Sequence, residues 1–193
     1  TYMRTDSTRV APSAAAAAQR WLRGKFGEGF VASGQRLWGG RQQKGAQEAH
    51  EAIRPTDPGR APDTVRRYLN RDQLRLYELI WLRFMAAQMR PALYDTTTVD
   101  FDVDGGGRRH QFRATGSVLR FEGFTRLYRE AREEGDRRTL DDLPPLPRLE
   151  EGQAVDVLGI DPGQHFTQPP PRFTEASLVK ELEKLGIGRP STY

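Results

Sequence analysis

Up to residue 90, apolar side chains recur at three- and four-residue intervals, and beyond it the interval drops to two. Pro12 and Ser13 open an alanine-rich run, AAAAAQRWLRGKFG, which predicts a helix stopped by Gly24 or Gly27. Residues 28–45 are rich in glycine and glutamine and predict a loop. AQEAHEAIRP predicts a short helical or turn segment ended by Pro55, and TDPGRAPD predicts a linker. The strongest helical pattern starts at Asn70 or Asp72 and stops before Pro91. There Leu74, Tyr77, Ile80, Trp81, Phe84 and Met85 share one face, a stripe that predicts core packing rather than a binding platform.

From Tyr94 to Phe121 the chain reads as two strands around a Gly-rich turn at Asp104–Gly107. AVDVLGIDPGQHF predicts a third strand with its own turn at Asp161–Gly163. The charged, proline-rich EEGDRRTLDDLPPLPRLEEG between them predicts a surface connection, and QPPPRF a stiff linker. Thr174 predicts the cap of a last helix, TEASLVKELEKLG, with Gly186 as its stop. The expected class is α+β and multi-domain: a mostly helical part over 1–90, a β-rich part over 91–168, and the start of another helical part over 169–193. Three or four strands make a marginal sheet, so the β part reads as incomplete.

Charge adds a partner class. Thirty Lys and Arg face twenty-six Asp and Glu, and lysine stands only at 25, 44, 180 and 184. Arginine binds phosphate through a planar two-pronged fork, so an arginine-dominated basic chain points to a polyanion, although base composition alone also enriches arginine. Cysteine is absent, which excludes disulfides and thiolate metal sites, and three scattered histidines suggest no zinc site. No apolar run is long enough for a membrane helix and no signal peptide is visible, so a soluble cytoplasmic protein without membrane contact is expected.

Three polar clusters stand apart from the core pattern. In TYMRTDS, an extended chain puts Tyr2, Arg4 and Asp6 on one side and Thr1, Met3 and Thr5 on the other. A guanidinium beside a phenol favours the phenolate, which matters because an ordinary tyrosine is only about a thousandth ionised at pH 7. The plainer alternative is an Arg4–Asp6 pair, with Asp6 or Ser7 capping the next element. In QEAHEAIRP, His50 and Arg54 are four apart and on a helix would share a face able to hold a phosphate dianion. The plainer alternative is a Glu51–Arg54 pair. In GIGRPSTY, the glycines allow close backbone approach while Arg189, Ser191 and Thr192 offer phosphate donors. Alternatively this is a helix end, a turn and a Ser191 cap.

Taken in order, TYMRTDS, QEAHEAIRP and PPRFTEASLVKELEKLGIGRPSTY resemble the signature segments of the type IA DNA topoisomerases, nearest to the bacterial topoisomerase I group. Weaker likeness runs through WLRFMAAQMRPALYDTTTV, GSVLRFEGF and QHFTQPPPRF. The resemblance implies relaxation of negatively supercoiled DNA without ATP. One strand is cut by a tyrosine, a 5′-phosphotyrosyl link forms, the other strand passes, and the cut is resealed. It implies Tyr2 as nucleophile, Arg4 as clamp of the scissile phosphate and His50 as a phosphate contact. Arg189 and Thr192, with Ser191 and Arg54 beside them, are implied to hold the strand, and Thr1 and Asp6 to support it. It further implies a tyrosine-bearing domain, part of a β arch that hinges the gate, and the start of a domain gripping single-stranded DNA. Mg2+ is expected in a Toprim domain that this sequence does not resemble, and the zinc modules of many bacterial members have no counterpart here. The implied whole is a monomeric cytoplasmic enzyme bound to the nucleoid, with this segment inactive alone. The alternative from another class is a basic module that binds single-stranded nucleic acid without chemistry. The two diverge at Tyr2.

Overall fold

The computed structural model describes residues 1, 7–38, 50–130 and 139–188. The chain divides into two compact units. The first comprises Thr1–Leu93, Phe121–Ala131 and Thr174–Tyr193, and the second Tyr94–Arg120 and Arg132–Phe173. The segment Phe121–Ala131 therefore returns to the helical unit after the hairpin.

The first unit is built on α1 (Pro12–Phe26) and α3 (Arg71–Ala87), with the single-turn α2 (Pro62–Val65) before α3. Proline at the first turn sets φ for α1, and Gly27 ends it at φ 87°, a conformation that favours a residue without Cβ. Helix α3 starts on a reciprocal cap: Gln73 N–H donates to the Asn70 side chain, and Asn70 N–H donates to Gln73 Oε1. The C-terminal half of the apolar stripe of α3 is core as expected, with Trp81, Phe84 and Met85 buried against Ala14, Ala15, Ala18 and Leu22 of α1 and Tyr77 packed at its edge, whereas Leu74 and Ile80 are half-buried outside that cluster. Trp21 meets Trp81 edge-on at 4.9 Å.

Two expected loops turn out to be packed. Val31 pairs with Met89 in an isolated bridge, and both are buried. The amide of Gln88, fully buried, accepts from Arg36 N–H at 3.2 Å and donates to Arg36 O at 2.7 Å, which closes residues 31–36 onto the end of α3. The proline-punctuated linker is likewise fixed. Trp81 Nε1–H donates to Pro58 O at 2.9 Å and Tyr77 O–H to Arg60 O at 2.7 Å. Burial pushes the Tyr77 phenol up, with Asp57 adding to it. These loops follow the core because buried indole and amide groups need backbone partners, a demand that local composition does not reveal.

The second unit is a long hairpin of β1 (Leu93–Gly105) and β2 (Arg108–Phe121). Gly106 and Gly107, at φ 57° and 73°, form the tight turn anticipated there. On one face Thr98 meets Thr115 at 3.4 Å, and Arg113 grips Asp100 with two bonds of 2.6 and 2.9 Å. That guanidinium holds the Asp100 carboxyl below the usual carboxylate range. On the other face Val99, Phe101, Val103 and Phe112 line a groove of about 1040 Å3 with residues 149–161. The proline-rich segment is more than a surface connection. A Cβ placed on Gly116 would lie 2.6 Å from Pro144 O and 2.7 Å from Leu146 N, so the segment runs in direct contact with the strand.

The third strand is not formed: residues 153–173 lie outside any strand, and among the described residues the sheet has two strands. Alternation at Val155 and Val157 marks a strand face, but a strand also needs a neighbour for its N–H and C=O groups. Here Val157, Leu158 and Ile160 stay exposed. Helix α4 (Glu175–Leu185) forms as expected from its Thr174 cap, and ends with Gly186 in the left-handed region at φ 68°. The Ile187 N–H bond to Leu182 O completes that stop. Among the described residues no helix is long and apolar enough to cross a membrane.

Candidate active site

Residues 7–11 leave the TYMRTDS motif as an extended segment held on two sides. Val10 N–H donates to Leu37 O at 2.7 Å, and Ala52 N–H donates to Arg9 O at 2.7 Å. The second bond ties Ala52, within the QEAHEAIRP motif, to Arg9, two residues beyond the first motif. Val10 is buried in the core, which fixes this junction to α1 and α3. Ser7 Oγ accepts from Arg9 N–H at 3.2 Å, a local turn, and does not cap α1, whose N-cap is Ala11.

The helical face expected to join His50 and Arg54 is absent. Residues 50–54 are not helical, because the Ala52 N–H is taken by Arg9 across the chain instead of by a carbonyl one turn back. His50 is half-buried at the start of this stretch. The Arg54 guanidinium donates through Nε to Glu51 Oε2 at 2.7 Å, through Nη2 to Glu51 Oε1 at 3.3 Å, and through Nη1 to Pro55 O at 3.2 Å. The pairing of Arg54 with Glu51, the plainer sequence alternative, is therefore present. Both side chains are more than four-fifths buried, with relative exposures of 15% and 19%.

Glu51 does more than pair. Its Oε2 also accepts from the Ala11 N–H at 3.2 Å, at the N-terminus of a helix with no side-chain cap of its own. The Arg54 bonds hold the Glu51 carboxyl below its ordinary value, with the Ala11 amide and the charges of Arg54 and Arg9 adding to the effect against burial. Sequence spacing marked Glu51 only as a partner of Arg54. The bond to Ala11, forty residues away, carried no local signal.

Tyr2, Arg4 and Asp6 lie outside the described residues, as do Arg189, Ser191 and Thr192, while Thr1 is exposed at the chain's start. The structure thus brings together His50, Glu51, Arg54 and the segment after the tyrosine motif. Helix α4 precedes the GRPST segment in the chain, and Gly188, the first residue of that segment, stands at φ 76°. Among the described residues no three histidines or carboxylates cluster as metal ligands.

The family model described as DNA topoisomerase matches residues 1–193, and the chain belongs to that family as a bacterial type IA member. Among solved structures it is similar to full-length topoisomerase I from Thermotoga maritima, at 39% identity and a TM-score of 0.71. That match covers 100% of this chain and 28% of the other.

Proposed function

We propose that this chain is the strand-cleaving segment of an enzyme that relaxes negatively supercoiled DNA by cutting and resealing one strand. Tyr2 is the nucleophile: its phenolate oxygen attacks the scissile phosphorus and displaces the 3′-oxygen, leaving the strand's 5′-phosphate esterified to the tyrosine. The 3′-hydroxyl then attacks that ester, releases the tyrosine and reseals the strand. The ester conserves the phosphodiester energy, so the cycle needs no ATP. Arg4 stabilises the phenolate as it forms and the charge on the five-coordinate phosphorus, where preorganised donors act most strongly. His50 donates to the same phosphate. Thr1, Asp6, Arg54, Arg189, Ser191 and Thr192 guide the bound strand.

One observation supports this reading above the others: the Ala52–Arg9 bond of 2.7 Å, which holds the His50 segment against the exit of the tyrosine motif. Magnesium belongs to a Toprim domain of the same polypeptide in this reading, and no step here is routed through it. The whole enzyme is proposed to act as a monomer in the cytoplasm, on DNA of the nucleoid. This segment alone is proposed to bind DNA weakly and not to cleave it.

The test uses the full-length polypeptide and end-labelled single-stranded DNA, denatured and separated by size. Label that migrates with protein in the parent and vanishes in Tyr2→Phe supports the reading. Salt-sensitive binding without label in either would leave a nucleic-acid-binding module and overturn it.

A further inference from the structure

We propose that Glu51 is a positioning residue that locks the His50 segment to the exit of the tyrosine motif, and so sets how often a bound strand is found cleaved. This rests on the reading of Tyr2 as nucleophile and His50 as phosphate contact. Among the described residues the Glu51 carboxylate accepts from N–H groups of two stretches of chain. Arg54 Nε and Nη2 approach at 2.7 and 3.3 Å, and the Ala11 N–H approaches at 3.2 Å. A carboxylate suits this place for two reasons. It has two oxygens to divide between a guanidinium fork and an amide, and its charge lies at the N-terminus of α1, where the helix dipole favours an anion. The neighbouring Ala52–Arg9 bond runs in parallel, so residues 9–11 and 51–54 behave as one rigid clip.

The clip contains no group that reaches the phosphate from Glu51 itself. Its effect on chemistry is geometric: residues 9–11 lead back to Tyr2 and Arg4, and residue 51 adjoins His50. Play at this junction misaligns nucleophile and phosphate contact together. Small misplacements of reacting groups lower rates steeply, whereas strand binding, spread over many contacts, changes little.

Two substitutions isolate the clip. Glu51→Gln keeps the shape but removes the charge. Ala11→Pro removes the N–H that Glu51 accepts and sets the ring Cδ in its place, which drives the Glu51 oxygen away, at a backbone whose φ of −63° suits proline. The measurement is the fraction of end-labelled single-stranded DNA held as covalent adduct at saturating DNA, beside the Kd for the same strand and the thermal midpoint. In the full-length polypeptide each variant is expected to hold Kd within about twofold while lowering the adduct fraction roughly three- to tenfold. The double variant should lose no more than Glu51→Gln alone, because both break one connection. If Glu51→Gln does not fold, Ala11→Pro decides alone. Parental adduct levels in a folded variant, losses that track the thermal midpoint, or additive losses in the double variant would each overturn the proposal. Absence of Tyr2-dependent adduct in the parent is a different failure. It removes the cleavage reading, and the proposal with it.

Discussion

The two units solve the same problem, hiding apolar surface, to very different degrees. In the helical unit Ala15, Ala18, Leu22, Met85 and Met89 are at 0% exposure, and even the amide of Gln88 is fully buried with partners. In the hairpin unit Phe112 is 50% exposed, Val157 59% and Ile160 72%. The helical unit closes its core with helices whose stripes face each other, sealed by loops that supply hydrogen-bond partners. The hairpin is long, about 45 Å at roughly 3.4 Å per residue, and among the described residues 144–146 and 149–161 run beside it as a partial second layer. Its order comes from the backbone ladder and the glycine turn, with the exposed cross-strand pairs Asp100–Arg113 and Asp102–Arg109 adding a little. A rigid block therefore carries the candidate chemistry, while the long element beside it in sequence is held by local pairing.

The sharpest way to break this contrast is to truncate one apolar side chain in each unit. Leu22→Ala, in the closed core, is expected to cost about 3–4 kcal/mol in denaturant unfolding. Val157→Ala, on the exposed groove, is expected to cost under about 0.5 kcal/mol. Equal costs would mean that the groove is covered in solution.

A finer probe is Gly116→Ala, which places a Cβ against Pro144 O and Leu146. It is expected to cost roughly 1–3 kcal/mol by overpacking, and to speed hydrogen exchange or proteolysis within residues 143–149. Unchanged protection there would show that the proline-rich segment does not sit on the strand.

The smallest effect is pH dependence at the Glu51 clip. The folded carboxyl titrates below its unfolded value, so its contribution is fully present above the unfolded value and is lost as pH falls through the folded one. Stability of the parent should therefore decline on acidification more than that of Glu51→Gln, a difference that thermal melts across the acid range would reveal. Parallel declines would remove the clip from the stability of the helical unit.

Legibility from sequence followed the range of the interactions. The Asn70–Gln73 cap, the Thr174 cap, the Gly106–Gly107 turn and the Trp81–Met85 stripe are fixed within a few residues, and each formed where its local signal stood. What spacing missed depends on distant partners. Residues 50–54 carry a helix-compatible spacing, yet Arg9 takes the Ala52 amide. Residues 154–161 carry strand alternation, yet no edge pairs with them. Residues 121–131 come after a strand, yet they rejoin the helical unit through Gly123. Its φ of 52° leaves the Pro91 carbonyl where a Cβ would stand, and Phe124 N–H reaches Arg90 O. Of the candidate site, the three motifs are legible as resemblance, and the Glu51 link to Ala11, at the start of α1, is legible only in three dimensions.

Tyr2 is proposed to carry the cleaved strand. The most direct measurement is to trap the adduct of the full-length polypeptide on single-stranded DNA, digest both components, and locate the nucleotide by peptide mass spectrometry. A single modified peptide is expected, with the nucleotide joined through its 5′-phosphate to the Tyr2 oxygen and the other DNA end extendable from its 3′-hydroxyl. A nucleotide on any other residue, or a 3′-phosphate link, would contradict it.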